Sequence, residues 1–207
     1  MWTSASFCLY TLAFLNKYLS GSIFINYYFD GVAGVTGYLL GKPLYQYCKM
    51  KASFLLALSI AFIGSLGIYM FEAGILSPYF IDDLGCPDSG FEPESPKDKE
   101  YHLARVIPFF TFTAKIGNYL VFYCAYQASY TDPRVFPSAK RSTAIGICNF
   151  AARFCTIFAP LVAELDKPIP TLITTIVTEI ALLVALTFPS EAQLKREAEK
   201  ILIDNNM

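Results

Sequence analysis

Apolar residues run through this chain in long stretches broken by short polar punctuation. At about 20 residues per crossing of a bilayer, the pattern predicts six helices, at roughly 4–28, 30–47, 52–71, 106–130, 142–164 and 168–188. The third stands out, because Ala52 to Phe71 contains no charged side chain. The second is short and carries Gly31, Gly34, Gly37 and Gly41 on one face, as close helix packing requires. Between the third and fourth, the segment 73–105 holds Pro78, Pro87, Pro93 and Pro96 and reads as an irregular loop. Beyond Pro189, Ser190 and Gln193 have the spacing of a capping box, and Leu194, Ala198, Ile201 and Leu202 share a face. The expected organisation is an all-α integral membrane bundle of six transmembrane helices over 1–189, followed by an amphipathic tail over 190–207.

Composition strengthens the membrane reading: of 207 residues 55% are hydrophobic and only 16% charged, and the mean hydropathy is +0.43. A soluble domain of this size alternates apolar and charged faces more regularly. The net charge of -1 matters by side rather than in sum. Lys42, Lys49 and Lys51 flank the second turn, Arg134, Lys140 and Arg141 the fourth, and Lys195, Arg196 and Lys200 follow the last helix. Six crossings put all three clusters on one face, the cytoplasmic one, together with both termini. The mostly acidic segment from Glu72 to Arg105 falls opposite. No removable signal precedes the first apolar run. Such a chain belongs in the plasma membrane or an organelle membrane.

Chemistry is sparse. His102 is the single histidine, and no Cys/His cluster with metal-ligand spacing occurs, so neither a metal nor another cofactor is expected. The six cysteines read as small apolar residues, with Cys86 alone in the long loop. No nucleophile or acid/base set suits an enzyme, and no basic surface calls for nucleic acid. The informative residues are Lys17, Lys115, Arg153 and Glu179, each near the middle of an expected helix and so roughly 15 Å from a surface. Charges at that depth are costly and face a cavity or a partner. Helical spacing gathers Tyr10, Phe14 and Lys17; Lys115, Tyr119, Phe122 and Tyr126; and Asn149, Arg153 and Thr156. Apolar walls with a few cationic groups suit a pocket for an organic solute. Glu179 is the candidate counter-charge for one of the cations.

The stretch Phe136-Pro137-Ser138, with Arg141, Thr143, Gly146, Ala152, Arg153 and Pro160, resembles the tenth and eleventh helices of the organic ion transporter family of the major facilitator superfamily. Gly21 to Asn26 and Phe188 to Glu191 are similar to other segments of that family, so the likeness spans nearly the whole chain. The resemblance implies the C-terminal six-helix half of such a carrier. It also implies an anionic or zwitterionic substrate, because arginine at the position of Arg153 goes with anions and aspartate with cations. Tyr10 matches a substrate-contacting tyrosine. The chain departs from the family at Gln46 to Lys51, which lacks the acidic member of the gating motif Asp-Arg-x-Gly-Arg-Arg, at Arg134, which stands at the position of a glutamate unless an inserted residue restores the match through Asp132, and near Gly34 and Thr36, where an acid and a proline are replaced.

The expected function is therefore transport of small organic anions or zwitterions by a half-module of a secondary carrier. Arg153 and Lys115 hold the negative group, and Tyr10, Tyr126, Phe122, Asn149 and Lys17 complete the substrate site. The expected partners are the bilayer and either a second six-helix half or another copy of the chain. The competing expectation is a non-transporting six-helix assembly subunit, or a fragment of a longer carrier.

Overall fold

The computed structural model describes residues 1–19, 23–75, 96–130 and 138–188, and among these every regular element is helical. The elements are α1 (Trp2–Leu15), α2 (Ile23–Glu72), α3 (Pro96–Tyr130), α4 (Ser138–Thr156), α5 (Ala159–Ala163) and α6 (Ile169–Leu186). Three helical segments, Ile23–Glu72, Arg141–Ala163 and Ile169–Leu186, are long and apolar enough to cross a membrane by length and composition. The loop residues 76–95 including Cys86, the motif residues 131–137 and the tail 190–207 lie outside the described residues.

Helix α2 is two helices joined at a sharp turn. Lys49 holds φ 60° and ψ -178°, which divides it into arms 23–48 and 50–72. That conformation is tolerated freely only by glycine and costs a residue with a Cβ about 1–3 kcal/mol. The Ser53 hydroxyl spans the turn by donating to the Leu44 carbonyl at 3.1 Å. Both arms then lie along α3. Phe29 meets Phe112 and Gly41 meets Tyr123, so the first arm runs parallel to α3. Phe71 meets Phe110 and Gly64 meets the Ala114 backbone, so the second runs antiparallel. A Cβ on Gly64 or Gly117 would collide with backbone of the facing helix, which is why the second arm and α3 can approach so closely.

Two expected helices are broken. The first, placed at 4–28, ends at Leu15, and residues 16–19 form turns held by Tyr18 N–H to Leu15 O at 2.8 Å. Its expected final residues begin the first arm of α2 instead. Asn16 has low helix propensity, and the sequence that follows holds Ser20, Gly21 and Ser22, so local propensity does not favour a continuous helix here. At 14 residues, α1 spans about 21 Å, short of a hydrocarbon core of about 30 Å. The fifth expected helix, 142–164, is interrupted at Ile157 and Phe158 between α4 and α5. Pro160 lacks an N–H, and its ring would strike the Thr156 carbonyl, so α4 stops at Thr156. Helix α3 also begins at Pro96, inside the segment expected to be irregular.

Helix α6 lies antiparallel to the second arm. Thr171 donates to Glu72 at 2.9 Å near one end, while the Lys51 ammonium caps the carbonyls of Leu186 and Phe188 at 2.7 and 2.8 Å at the other. Arg141 similarly donates to the Tyr130 carbonyl at 2.7 Å, at the C-terminus of α3. The buried Thr174, Thr175 and Thr178 donate to carbonyls of their own helix, so α6 turns a polar face inward with its hydroxyls satisfied. Cys8 of α1 sits against Thr174 and Thr178. Helix α1 meets α3, α4, α5 and α6, and α4 leans chiefly on α1. Two apolar clusters fill the interior, one around Phe54, Leu58, Val121 and Cys124 and one around Leu12, Leu15, Ile68 and Ile107.

Candidate functional site

A cavity of about 310 Å³ opens between α1, the first arm of α2, α3 and α4. Helix α1 lines it with Trp2, Ser6, Leu9, Tyr10 and Ala13, spaced as one helical stripe. Helix α3 adds Tyr119 and Phe122, the first arm adds Tyr38, and α4 adds Asn149, Ala152, Arg153 and Thr156. The Tyr38 and Tyr119 rings lie 5.8 Å apart, and Trp2 meets Phe122 edge-on at 5.2 Å. The walls are thus largely aromatic and alkyl, with a substantial polar share from Ser6, Asn149, Arg153, Thr156 and the tyrosines.

Arg153 is the cavity's cation. It is exposed on α4, and its Nη1 donates to the Tyr10 hydroxyl at 3.0 Å. No carboxylate among the described residues pairs with it, so its charge is uncompensated on the side facing the open space. A guanidinium has five donors in a planar fork. One engaged by a phenol leaves enough for a two-point contact with a carboxylate or sulfate.

The structure brings together Tyr10, Phe122, Asn149 and Arg153 of the expected site and places the other three elsewhere. Lys115 is fully buried and forms an ion pair with Asp30 of the first arm at 2.9 Å, so its charge is neutralised behind the cavity wall. Tyr126 stacks on Tyr130 at 4.4 Å, outside the cavity. Lys17 is exposed in the turn after α1, its ammonium 5.3 Å from the centre of the Tyr18 ring, because the helix that would have carried it inward has already ended. Glu179 lies exposed on α6 and makes no ion pair with Lys17, Lys115 or Arg153.

Asp30, Tyr38 and Trp2 belong to this region although the sequence pattern did not single them out. Asp30 fell at the expected boundary between the first two helices, where an acid reads as a solvated turn residue. The available signal was its isolation: it is the one acidic residue between Met1 and Glu72. A second, more open groove of about 460 Å³ between α1, α4 and α6 is walled almost entirely by apolar groups such as Phe7, Phe158 and Ile180. Its lining carries no charged side chain to orient a solute. Among the described residues no group of three histidine, cysteine, aspartate or glutamate side chains is placed to hold a metal ion. No protein-family model, curated protein or solved structure matches this chain.

Proposed function

We propose that this chain is one six-helix half of a secondary carrier and that its cavity binds the head group of a small organic anion or zwitterion. The observation that carries the reading is Arg153: a cation on an apolar helix, without a carboxylate partner, aimed with Tyr10 into an aromatic-walled cavity. Such a charge in a low-dielectric setting is stabilised by a counter-anion, and an anionic solute supplies one. Tyr10 holds the guanidinium in place, Tyr38, Tyr119 and Phe122 accept the apolar body of the solute, and Asn149 offers a neutral polar contact. Lys115 acts through Asp30 as a support for the wall rather than as a ligand.

The alternating direction of successive helical segments supports six crossings, with Lys42, Lys51 and Arg141 at one, cytoplasmic, end. The cavity is one-sided, so a second bundle, either a separate half or another copy of the chain, closes it. Transport then consists of binding and rocking, without covalent chemistry.

The test is binding and uptake of an aromatic carboxylate, benzoate, by the chain reconstituted in vesicles with its closing bundle. Arg153→Asp is expected to abolish both. Arg153→Lys keeps the charge but loses the paired hydrogen bonds, worth about 1.5–3 kcal/mol, and is expected to weaken binding roughly tenfold to a hundredfold. Saturable uptake that survives Arg153→Asp refutes the proposal.

A further inference from the structure

The outer face of α6 carries a second unpaired charge, on the flank away from the cavity. Glu179 lies ten residues after Ile169 and seven before Leu186, about 15 and 10 Å along the axis, so no helix end brings its carboxylate to a surface. It is exposed and makes no hydrogen bond or ion pair among the described residues. The side chains in line with it are Leu172, Ile176, Leu183 and Leu186, exposed by 36, 43, 57 and 53%. Together the five positions follow an alternating four-and-three spacing, the seam by which one helix receives another. Ile180 and Val184 lie on the adjacent flank, about 100° round the helix, in the apolar groove beside α1 and α4. Thr174, Thr178 and Ala181 face the core.

We infer that this seam is a docking surface for a membrane-spanning helix of a different protein that carries a lysine or arginine near its midpoint. Charge complementarity selects the occupant. A carboxylate at mid-depth facing acyl chains is among the costliest arrangements in a bilayer, and lipid headgroups do not reach it. A second copy docking symmetrically through the same seam would set Glu179 against Glu179, which is repulsive. Nor does this chain offer the complement elsewhere: among the described residues the basic groups at comparable depth are Lys115, already paired with Asp30, and Arg153, directed into the cavity. The seam and the cavity are on different faces, so the partner docked here is not the bundle that closes the cavity.

The test uses the full chain in phosphatidylcholine vesicles with synthetic leucine-rich transmembrane peptides of about 20 residues, identical except for a central lysine or a central alanine. Association is read by energy transfer, and position by photo-crosslinking from a probe at residue 183 or, as control, at residue 180. The lysine peptide is expected to associate at least tenfold more tightly than the alanine peptide and to crosslink from 183 but not from 180. Glu179→Gln removes the difference, and Glu179→Lys transfers the preference to a peptide with a central glutamate. Equal association of the two peptides, a lysine preference that persists in Glu179→Gln, or crosslinking from 183 mainly to a second copy of the chain each overturns the inference.

Discussion

Lys115 and Arg153 are both cations on apolar helices, yet the fold treats them in opposite ways. Lys115 is sealed between α3 and the first arm of α2 with Asp30 at 2.9 Å. Arg153 leans on a phenol and faces open space. The difference follows from the side chains each helix meets. The first arm brings glycines against α3, so the backbones come close and a carboxylate from one reaches an ammonium of the other. Helix α4 meets mainly α1, whose facing stripe contains no acid. A buried pair of this kind is a fixed part of the scaffold, whereas an uncompensated cation is available to a ligand.

The comparison can be broken most severely at Asp30. Asp30→Ala strands a buried ammonium, and losing one partner of such a pair costs about 3–5 kcal/mol. The variant is expected to unfold in mild detergent at markedly lower temperature, as followed by circular dichroism. The paired replacement Asp30→Leu with Lys115→Met should recover most of that loss, because the pair carries little net stability once both charges are gone. Arg153→Ala is expected to behave in reverse: the same melt should move little, while benzoate binding measured by calorimetry falls by a hundredfold or more. If Arg153→Ala melts as badly as Asp30→Ala, the arginine is scaffold and the contrast fails.

Tyr10→Phe sharpens the comparison at a smaller scale. Removing the phenol takes one hydrogen bond of about 0.5–1.5 kcal/mol from the guanidinium, so benzoate binding should weaken by up to about tenfold with fold and melting unchanged. The smallest expected effect is at Lys49, where the strained backbone suits glycine. Lys49→Gly is expected to raise stability by about 1 kcal/mol or less, read as a small upward shift in the same melt, without any change in benzoate binding. A loss of stability there would mean that the lysine side chain matters more than its backbone.

The helical, apolar character was legible because hydropathy records it residue by residue. Part of the cavity was legible for the same kind of reason: Asn149, Arg153 and Thr156 share a helical face, and spacing alone puts them together. The partner of Lys115 was not legible, because pairing with Asp30 depends on how two distant segments lie against each other. Lys17 was misplaced through an error of helix length rather than of chemistry. Once α1 stops at Leu15, the residue two positions later falls in a turn, whatever its charge. The break after Thr156 was written in Pro160, whose nitrogen has no hydrogen to donate to the Thr156 carbonyl, although hydropathy alone, which treats the run as continuous, does not register it.

The neighbours of α1 carry a consequence for how the protein is made. Although synthesised before all of them, α1 rests on α3, α4, α5 and α6. The two arms of α2 and then α3, by contrast, meet segments adjacent to them in the order of translation. The two arms of α2 and α3 can therefore assemble as they emerge, whereas α1 completes its contacts only when α6 arrives. Ribosome-attached chains arrested after α3 should already protect Cys124, which packs in the cluster with Phe54 and Leu58 of the second arm, from thiol reagents while leaving Cys8 reactive, and only synthesis through α6 should bury Cys8 against Thr174 and Thr178.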